Sequence, residues 1–166
     1  MLNIFSKTFL QLIRIKQWMK NIFIFAPLIF SHHLLNIQDI TKTVTVFFAF
    51  SLVSVLVYII NDIHDCKQDA IHPEKKSRPI ASGTVSKSQA LITGIILFIA
   101  GISIAFLAKR PQVIITLLAY LIINMLYTFF LKQIAILDVF IIAVGFCIRV
   151  IIGAVAIDVQ PSQWII

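Results

Sequence analysis

The chain has 166 residues, of which 60% are hydrophobic and only 13% charged, and its mean hydropathy is +0.99. That balance excludes an ordinary soluble domain, and the repeated long apolar runs exclude a single buried core helix or a cleaved secretion signal, leaving an all-α, polytopic transmembrane helical bundle in a lipid bilayer. Fourteen Lys and Arg against seven Asp and Glu give a formal charge of +7, which here reads as a topology signal, so no nucleic acid is expected as a partner.

From Met1 to Lys20 the chain mixes Leu2, Ile4, Phe5, Phe9, Leu12 and Ile13 with Lys7, Arg14 and Lys16, the pattern of an interfacial amphipathic helix. A first span is predicted from Trp18 to Leu35, with Pro27 inside it predicting a kink or a broken hydrogen bond. The second, Val44 to Ile60, contains no charge and runs straight into Asn61-Asp62-Ile63-His64-Asp65-Cys66-Lys67-Gln68-Asp69. Ala70 to Lys87, with four basic residues, two prolines and a glycine, is a polar connection that ends on Ser86 as a helix cap. Gln89 to Ala108 and Pro111 to Phe130 form an antiparallel hairpin about the Lys109-Arg110 turn. After Lys132 and Gln133, a fifth span from Ile134 to Ile157 carries both Asp138 and Arg149. Pro161 to Ile166 reads as the start of a further helix that nothing terminates, so the 166 residues are expected to form the N-terminal part of one longer membrane domain.

With the amino end in the cytoplasm, ten basic residues fall on cytoplasmic segments and only Lys42, Lys109 and Arg110 fall outside, which orients the chain by the positive-inside rule. The acidic motif then opens on the cytoplasmic side of the cell membrane. Cys66 and Cys147 lie in a cytoplasmic segment and in a span, so no disulfide is expected.

Three carboxylates at the end of an apolar helix are costly to desolvate and repel one another. If the helix continues through the motif, Asp62, Asp65 and Asp69 sit at i, i+3 and i+7 within an arc of about 60°. Hard divalent cations such as Mg2+ relieve that repulsion, and Asn61 can add an amide oxygen. His64 projects away from Asp69 and is expected not to be a ligand. The basic loop follows at once, so a metal-bridged diphosphate would find ligands for both cation and anion. Within it Arg78 is the sharper candidate, since its fork matches phosphate oxygens and Pro79 holds its backbone extended; Lys75 and Lys76 are equivalent on these grounds. Lys20 sits at the cytoplasmic end of the first span beside Trp18, where snorkelling alone would explain it. Tyr58, one turn before Asp62, either faces the same cavity or anchors the interface. Asp138 and Arg149 are roughly 16 Å apart along one helix, so they cannot pair and each needs another partner; buried charge in a span points to function as readily as to packing, and Arg149 is a candidate substrate-binding residue. Tyr127 is expected to pack against lipid or a neighbouring helix.

The pattern Asn61-Asp62-x-x-Asp65-x-x-x-Asp69 resembles the first aspartate-rich motif of the UbiA superfamily of membrane prenyltransferases. Arg14-Ile15-Lys16-Gln17-Trp18-Met19-Lys20-Asn21, the loop His72 to Gly83, and Leu131-Lys132 leading to Asp138 and Arg149 resemble the branch containing decaprenyl-phosphate phosphoribosyltransferase. The resemblance implies a bundle of about nine helices, of which about five are present, with a second polar motif in the later half. It implies Mg2+-dependent transfer of a 5-phosphoribosyl group from phosphoribosyl diphosphate to a polyprenyl phosphate. Asp62, Asp65 and Asp69 would hold metal and diphosphate with support from Asn61, while Lys20, Lys75 and Arg78 would contact phosphate. Two other readings stand beside it: a prenyltransferase moving a prenyl group from prenyl diphosphate to an aromatic acceptor, and a non-catalytic or truncated membrane module.

Overall fold

A computed structural model of the protein describes residues 2–132 and 134–160, and among these there is no strand. Helix α1 (Leu2–Leu12) stops where Arg14 takes a left-handed conformation, φ 49° and ψ 49°, uncommon for a residue with a side chain. The next eleven residues, Ile15–Phe25, wind as a 3-10 helix that passes into the short α2 (Ala26–Phe30). The expected first span, Trp18 to Leu35, is therefore not one regular helix. Pro27 has no N–H to give and crowds the carbonyl four residues earlier, so the α-helical ladder cannot run through it from Trp18. Eleven residues at about 2.0 Å and five at about 1.5 Å still cover roughly 30 Å, the thickness of a hydrocarbon layer.

Four helices among the described residues are long and apolar enough to cross a membrane. The first, α3 (Ile37–Ile71), begins on Asn36, whose side chain accepts from the amides of Gln38 (3.0 Å) and Asp39 (3.3 Å), and Asp39 adds negative charge at the positive end of the helix. Its 35 residues extend about 52 Å at about 1.5 Å each, well beyond an apolar layer of about 30 Å. The predicted second span thus lies inside a longer helix that carries the acidic motif unbroken past the apolar stretch.

Helix α4 (Lys87–Phe106) starts with Ser86, whose Oγ accepts from the Gln89 amide at 3.2 Å while Gln89 Oε1 accepts from the Ser86 amide at 3.1 Å. Two orphan donors are satisfied reciprocally. Ser86→Ala is expected to lower stability by about 1 kcal/mol, read as a fall in the denaturant midpoint of the detergent-solubilised protein. Helix α5 (Pro111–Leu126) continues through one π-helical turn, Tyr127–Leu131, and α6 (Ala135–Ile157) follows. Their ends agree with the predicted spans to within two or three residues.

α3 is the central helix; α4 lies along it, and α6 packs against α3, α5 and the 3-10 segment. The core between them contains Ile24, Val46, Phe50, Leu117 and Ile152, all essentially fully buried. At one end of the bundle Arg110 meets Asp158 at 2.8 Å, tying the α4–α5 turn to the end of α6 and holding the Asp158 carboxyl below its ordinary range. At the other end Lys132 reaches the last turns of α3.

Candidate functional site

Because α3 stays helical to Ile71, its three aspartates arrive on adjoining faces, and basic groups from three other parts of the chain close over them. Asp62, Asp65 and Asp69 are only 6%, 7% and 3% exposed. Asp62 Oδ2 accepts from Arg14 Nε at 3.2 Å, and its Oδ1 accepts from Arg14 Nη2 and, at 3.1 Å, from Arg78 Nη1. The same Arg78 nitrogen donates to Asp69 Oδ2 at 2.6 Å. Asp65 lies apart from these two: its Oδ2 accepts from Lys132 Nζ and, at 3.1 Å, from Asn61 Nδ2, while its Oδ1 lies 3.1 Å from His64 Nδ1. Three carboxylates thus face three basic side chains, Arg14, Arg78 and Lys132.

The local chain explains these placements. Arg78 is extended, φ −64° and ψ 141°, as a residue before proline should be, and this turns its side chain back toward α3. The left-handed bend at Arg14 swings its guanidinium over the Tyr58 ring, 5.1 Å from the centroid, and onto Asp62. Such a backbone conformation persists where the surroundings fix it, and here the ion pair and the ring do so. Lys132 follows the π-helical turn, a local irregularity that is common at functional sites.

Sequence expectations meet this geometry unevenly. Asp62 and Asp69 come together, with Tyr58 beneath Arg14, and Arg78, expected at phosphate, lies between the two carboxylates and bonds both. Asn61 donates its side-chain N–H to Asp65 at 3.1 Å, a contact that leaves its Oδ1 out of the bond. His64, expected to be no ligand, meets Asp65 with its Nδ1 at 3.1 Å and stands edge-on to Phe129 at 5.6 Å. Lys75 is exposed on the one-turn 3-10 helix Lys75–Ser77 and forms no ion pair with the aspartates. Lys20 and Arg149 are not in this cluster; they line a separate small cavity described below. Asp138 and Arg149, which cannot pair, find the partners they need: Tyr127 donates its hydroxyl to Asp138 at 2.5 Å, and Arg149 binds Asn21 and the Gly145 carbonyl. Tyr127 is therefore a polar partner as well as a packing residue.

Two openings adjoin the cluster. A broad groove of about 1060 Å³ runs between α1, the start of the 3-10 helix and the basic loop, and Lys7, Arg14, Lys16 and Arg78 line it. A small cavity of about 120 Å³ lies between the 3-10 helix, α5 and α6 and contains Lys20, Tyr58 and Arg149.

The model of the UbiA prenyltransferase family matches residues 22–166. The chain belongs to that family. It is 36% identical over 156 residues to decaprenyl-phosphate phosphoribosyltransferase of Mycolicibacterium smegmatis, covering 92% of this chain and 49% of that protein. It is also 34% identical over 159 residues to an uncharacterized protein of Sinorhizobium fredii, covering 96% of this chain and 31% of the other. A solved structure of digeranylgeranylglyceryl phosphate synthase superposes with a TM-score of 0.73 at 26% identity, covering 91% of this chain and 53% of that one. The UbiA chain thus spans from about a third to about half of the length of these relatives, and its all-α bundle is an integral membrane fold of their type.

UbiA prenyltransferases generally depend on a divalent metal, so the donor set must be tested for one. Among the described residues no three His, Cys, Asp or Glu side chains converge closely enough to enclose an ion by themselves. Asp62 and Asp69, however, aim one carboxylate oxygen each at a single point, the position held by Arg78 Nη1. Two hard oxygens converging on one cationic atom suit Mg2+, which is commonly held by one or two carboxylates with substrate phosphates and water completing its shell. Asp62 and Asp69 fit a divalent metal whose remaining positions other ligands would fill.

Sequence reasoning missed Arg14 and Lys132 as direct partners of the aspartates. Both were visible only as parts of basic motifs, 48 and 67 residues from the carboxylates they meet.

Proposed function

We propose that this chain supplies the diphosphate-binding end of a membrane transferase that moves a 5-phosphoribosyl group from phosphoribosyl diphosphate to a polyprenyl phosphate, on the cytoplasmic face of the cell membrane. The observation that carries the reading is the convergence of Asp62 and Asp69 on Arg78 Nη1, at 3.1 and 2.6 Å, beside a groove lined by four basic residues. The named likeness to decaprenyl-phosphate phosphoribosyltransferase supports the choice of donor and acceptor.

In this reaction the bond between the ribosyl anomeric carbon and the diphosphate oxygen breaks, and a bond from that carbon to a phosphate oxygen of the lipid forms. Bound Mg2+ would neutralise charge growing on the departing diphosphate. Asp62 and Asp69 would hold that ion, and Arg78, whose rigid donor fork matches phosphate oxygens, would bind the diphosphate beside them. Arg14 holds Asp62 in place against Tyr58. Lys132 orients Asp65. Donors positioned where charge develops lower the barrier more than they strengthen ground-state binding.

The test is a transfer assay in membranes containing the protein, with labelled phosphoribosyl diphosphate and a polyprenyl phosphate. Label is expected in the lipid fraction and is expected to vanish on chelation of divalent metal. Unlabelled lipid beside active transfer from a prenyl diphosphate to an aromatic acceptor would replace this reading with ordinary prenyl transfer.

A further inference from the structure

Arg149 is a charged side chain, 5% exposed, on a membrane-crossing helix, and among the described residues no carboxylate pairs with it. Its Nε donates to Asn21 Oδ1 at 2.8 Å and its Nη1 to the Gly145 carbonyl at 2.6 Å, both neutral acceptors. Asn21, itself 1% exposed, is fixed by a 2.9 Å bond from its Nδ2 to Ser51 Oγ. The rings of Phe50, Tyr120 and Phe146 surround the guanidinium at 5.0 to 5.7 Å. Cation–π contact offsets part of the desolvation cost, but a buried guanidinium normally also takes an anion.

No carboxylate in the chain is free to serve. Of the seven acidic residues, three lie in the α3 cluster, Asp39 is held by His33 and Lys42, and Asp158 by Arg110. Asp138 takes the Tyr127 hydroxyl, and Glu74 is on the exposed loop. Beside Arg149 lies the cavity of about 120 Å³, with Lys20, Tyr58 and Asn124 on its polar wall and Ile141, Ile142 and Phe146 on its apolar one. A second cation, neutral polar groups and no acidic lining residue describe an anion site; its size suits one phosphate group, and its apolar wall suits a hydrocarbon stem.

We infer that this cavity receives the phosphate monoester of the lipid acceptor, with Arg149 and Lys20 as its ligands. The inference rests on the proposed transfer reaction and divides it in space: the donor diphosphate belongs to the aspartate cluster, and the acceptor phosphate to the inner cavity. Arg149 then sets specificity for a lipid that ends in phosphate over one that ends in hydroxyl.

The test is a titration of the protein in nanodiscs with a short-chain polyprenyl phosphate, the matching polyprenol and ribose 5-phosphate, read by native mass spectrometry. The unaltered protein is expected to prefer the lipid phosphate to the alcohol at least tenfold, and ribose 5-phosphate is expected not to displace it. Arg149→Gln brings the ratio close to one. Lys20→Gln, at an exposed position that the fold does not need, lowers it several-fold and decides the matter if the first variant does not fold. An unchanged ratio in the folded variants overturns the inference, and so does equal displacement by ribose 5-phosphate, which would make the cavity a site for soluble phosphate. Binding of labelled phosphoribosyl diphosphate with Mg2+ is followed in parallel. Its failure in the unaltered protein removes the donor reading whatever the lipid ratio does, whereas intact donor binding with an unmoved ratio removes this inference alone.

Discussion

Asp62→Asn is expected to reduce metal-dependent transfer by about a thousandfold while the protein still inserts and purifies. Asp62 is the one carboxylate bonded to both Arg14 and Arg78, and with Asp69 it defines the point at which a metal would replace Arg78 Nη1. The amide keeps the shape but removes the charge that would attract the ion. Loss of a preorganised electrostatic contact of this kind typically costs about a hundredfold to a thousandfold in turnover. Asn is the better probe than Ala, because its amide fills the same space and keeps one oxygen to accept from Arg14 or Arg78, whereas Ala would also leave both guanidinium groups without an acceptor there. Asp65→Asn is expected to cost less, about tenfold, since that carboxylate is occupied by Lys132 and Asn61 on the neighbouring face. Initial rates of label entering the lipid fraction measure both. Equal rates for Asp62→Asn and the unaltered protein would end the assignment of metal and diphosphate to this face, and an Asp65 effect larger than the Asp62 effect would move the metal to the Lys132 side.

The parts of this arrangement legible in the sequence are those that local periodicity and the bilayer dictate. Runs of apolar residues had to become helices, since hydrocarbon leaves backbone polar groups no other partner, and α4 to α6 fall where those runs do. Helical spacing alone brings Asp62 and Asp69 together, but it does not show that Asp65 turns to Lys132 on the neighbouring face. What hydropathy does not report is the hydrogen-bond pattern of a segment, so Ile15–Phe25 passes for part of a span although it is 3-10 helix; Pro27 was the one local warning. Long-range partners were equally invisible. Arg149 and Asn21 are 128 residues apart, and only packing of α6 on the 3-10 helix brings them together. Asn61 shows the same limit on a smaller scale: its type and position allow a ligand oxygen, but they do not show that its side-chain N–H reaches Asp65.

That packing of α6 on the 3-10 helix makes Gly153→Ala the largest stability change expected in the bundle. A Cβ at Gly153 would lie 2.1 Å from the Ile24 carbonyl oxygen and 3.0 Å from its carbon, both backbone atoms that cannot rotate away. At Gly101 the nearest atom, the Ala49 carbonyl oxygen, would be 2.9 Å away, and at Gly94 only the flexible tips of Leu56 and Ile59 come close, at 3.0 and 3.2 Å. Overpacking of a tight core costs about 1 to 3 kcal/mol, and a backbone collision belongs at or above the top of that range. The order of destabilisation should therefore be Gly153→Ala, then Gly101→Ala, then Gly94→Ala, with the last within about 1 kcal/mol of the unaltered protein. Denaturant midpoints of the detergent-solubilised proteins give that order directly. The same displacement has a chemical consequence, because Asn21 lies three residues before Ile24 on the 3-10 helix and carries the oxygen that holds Arg149 Nε. Pushing Ile24 outward draws Asn21 with it and leaves the guanidinium with one neutral acceptor fewer in an apolar setting. Gly153→Ala should thus lose preference for lipid phosphate as well as stability, whereas Gly101→Ala, whose strain falls on the α3–α4 contact, should lose stability alone. A Gly153→Ala protein as stable as the original would mean that α6 and the 3-10 helix do not touch, and the Arg149 site would lose the contact that builds it.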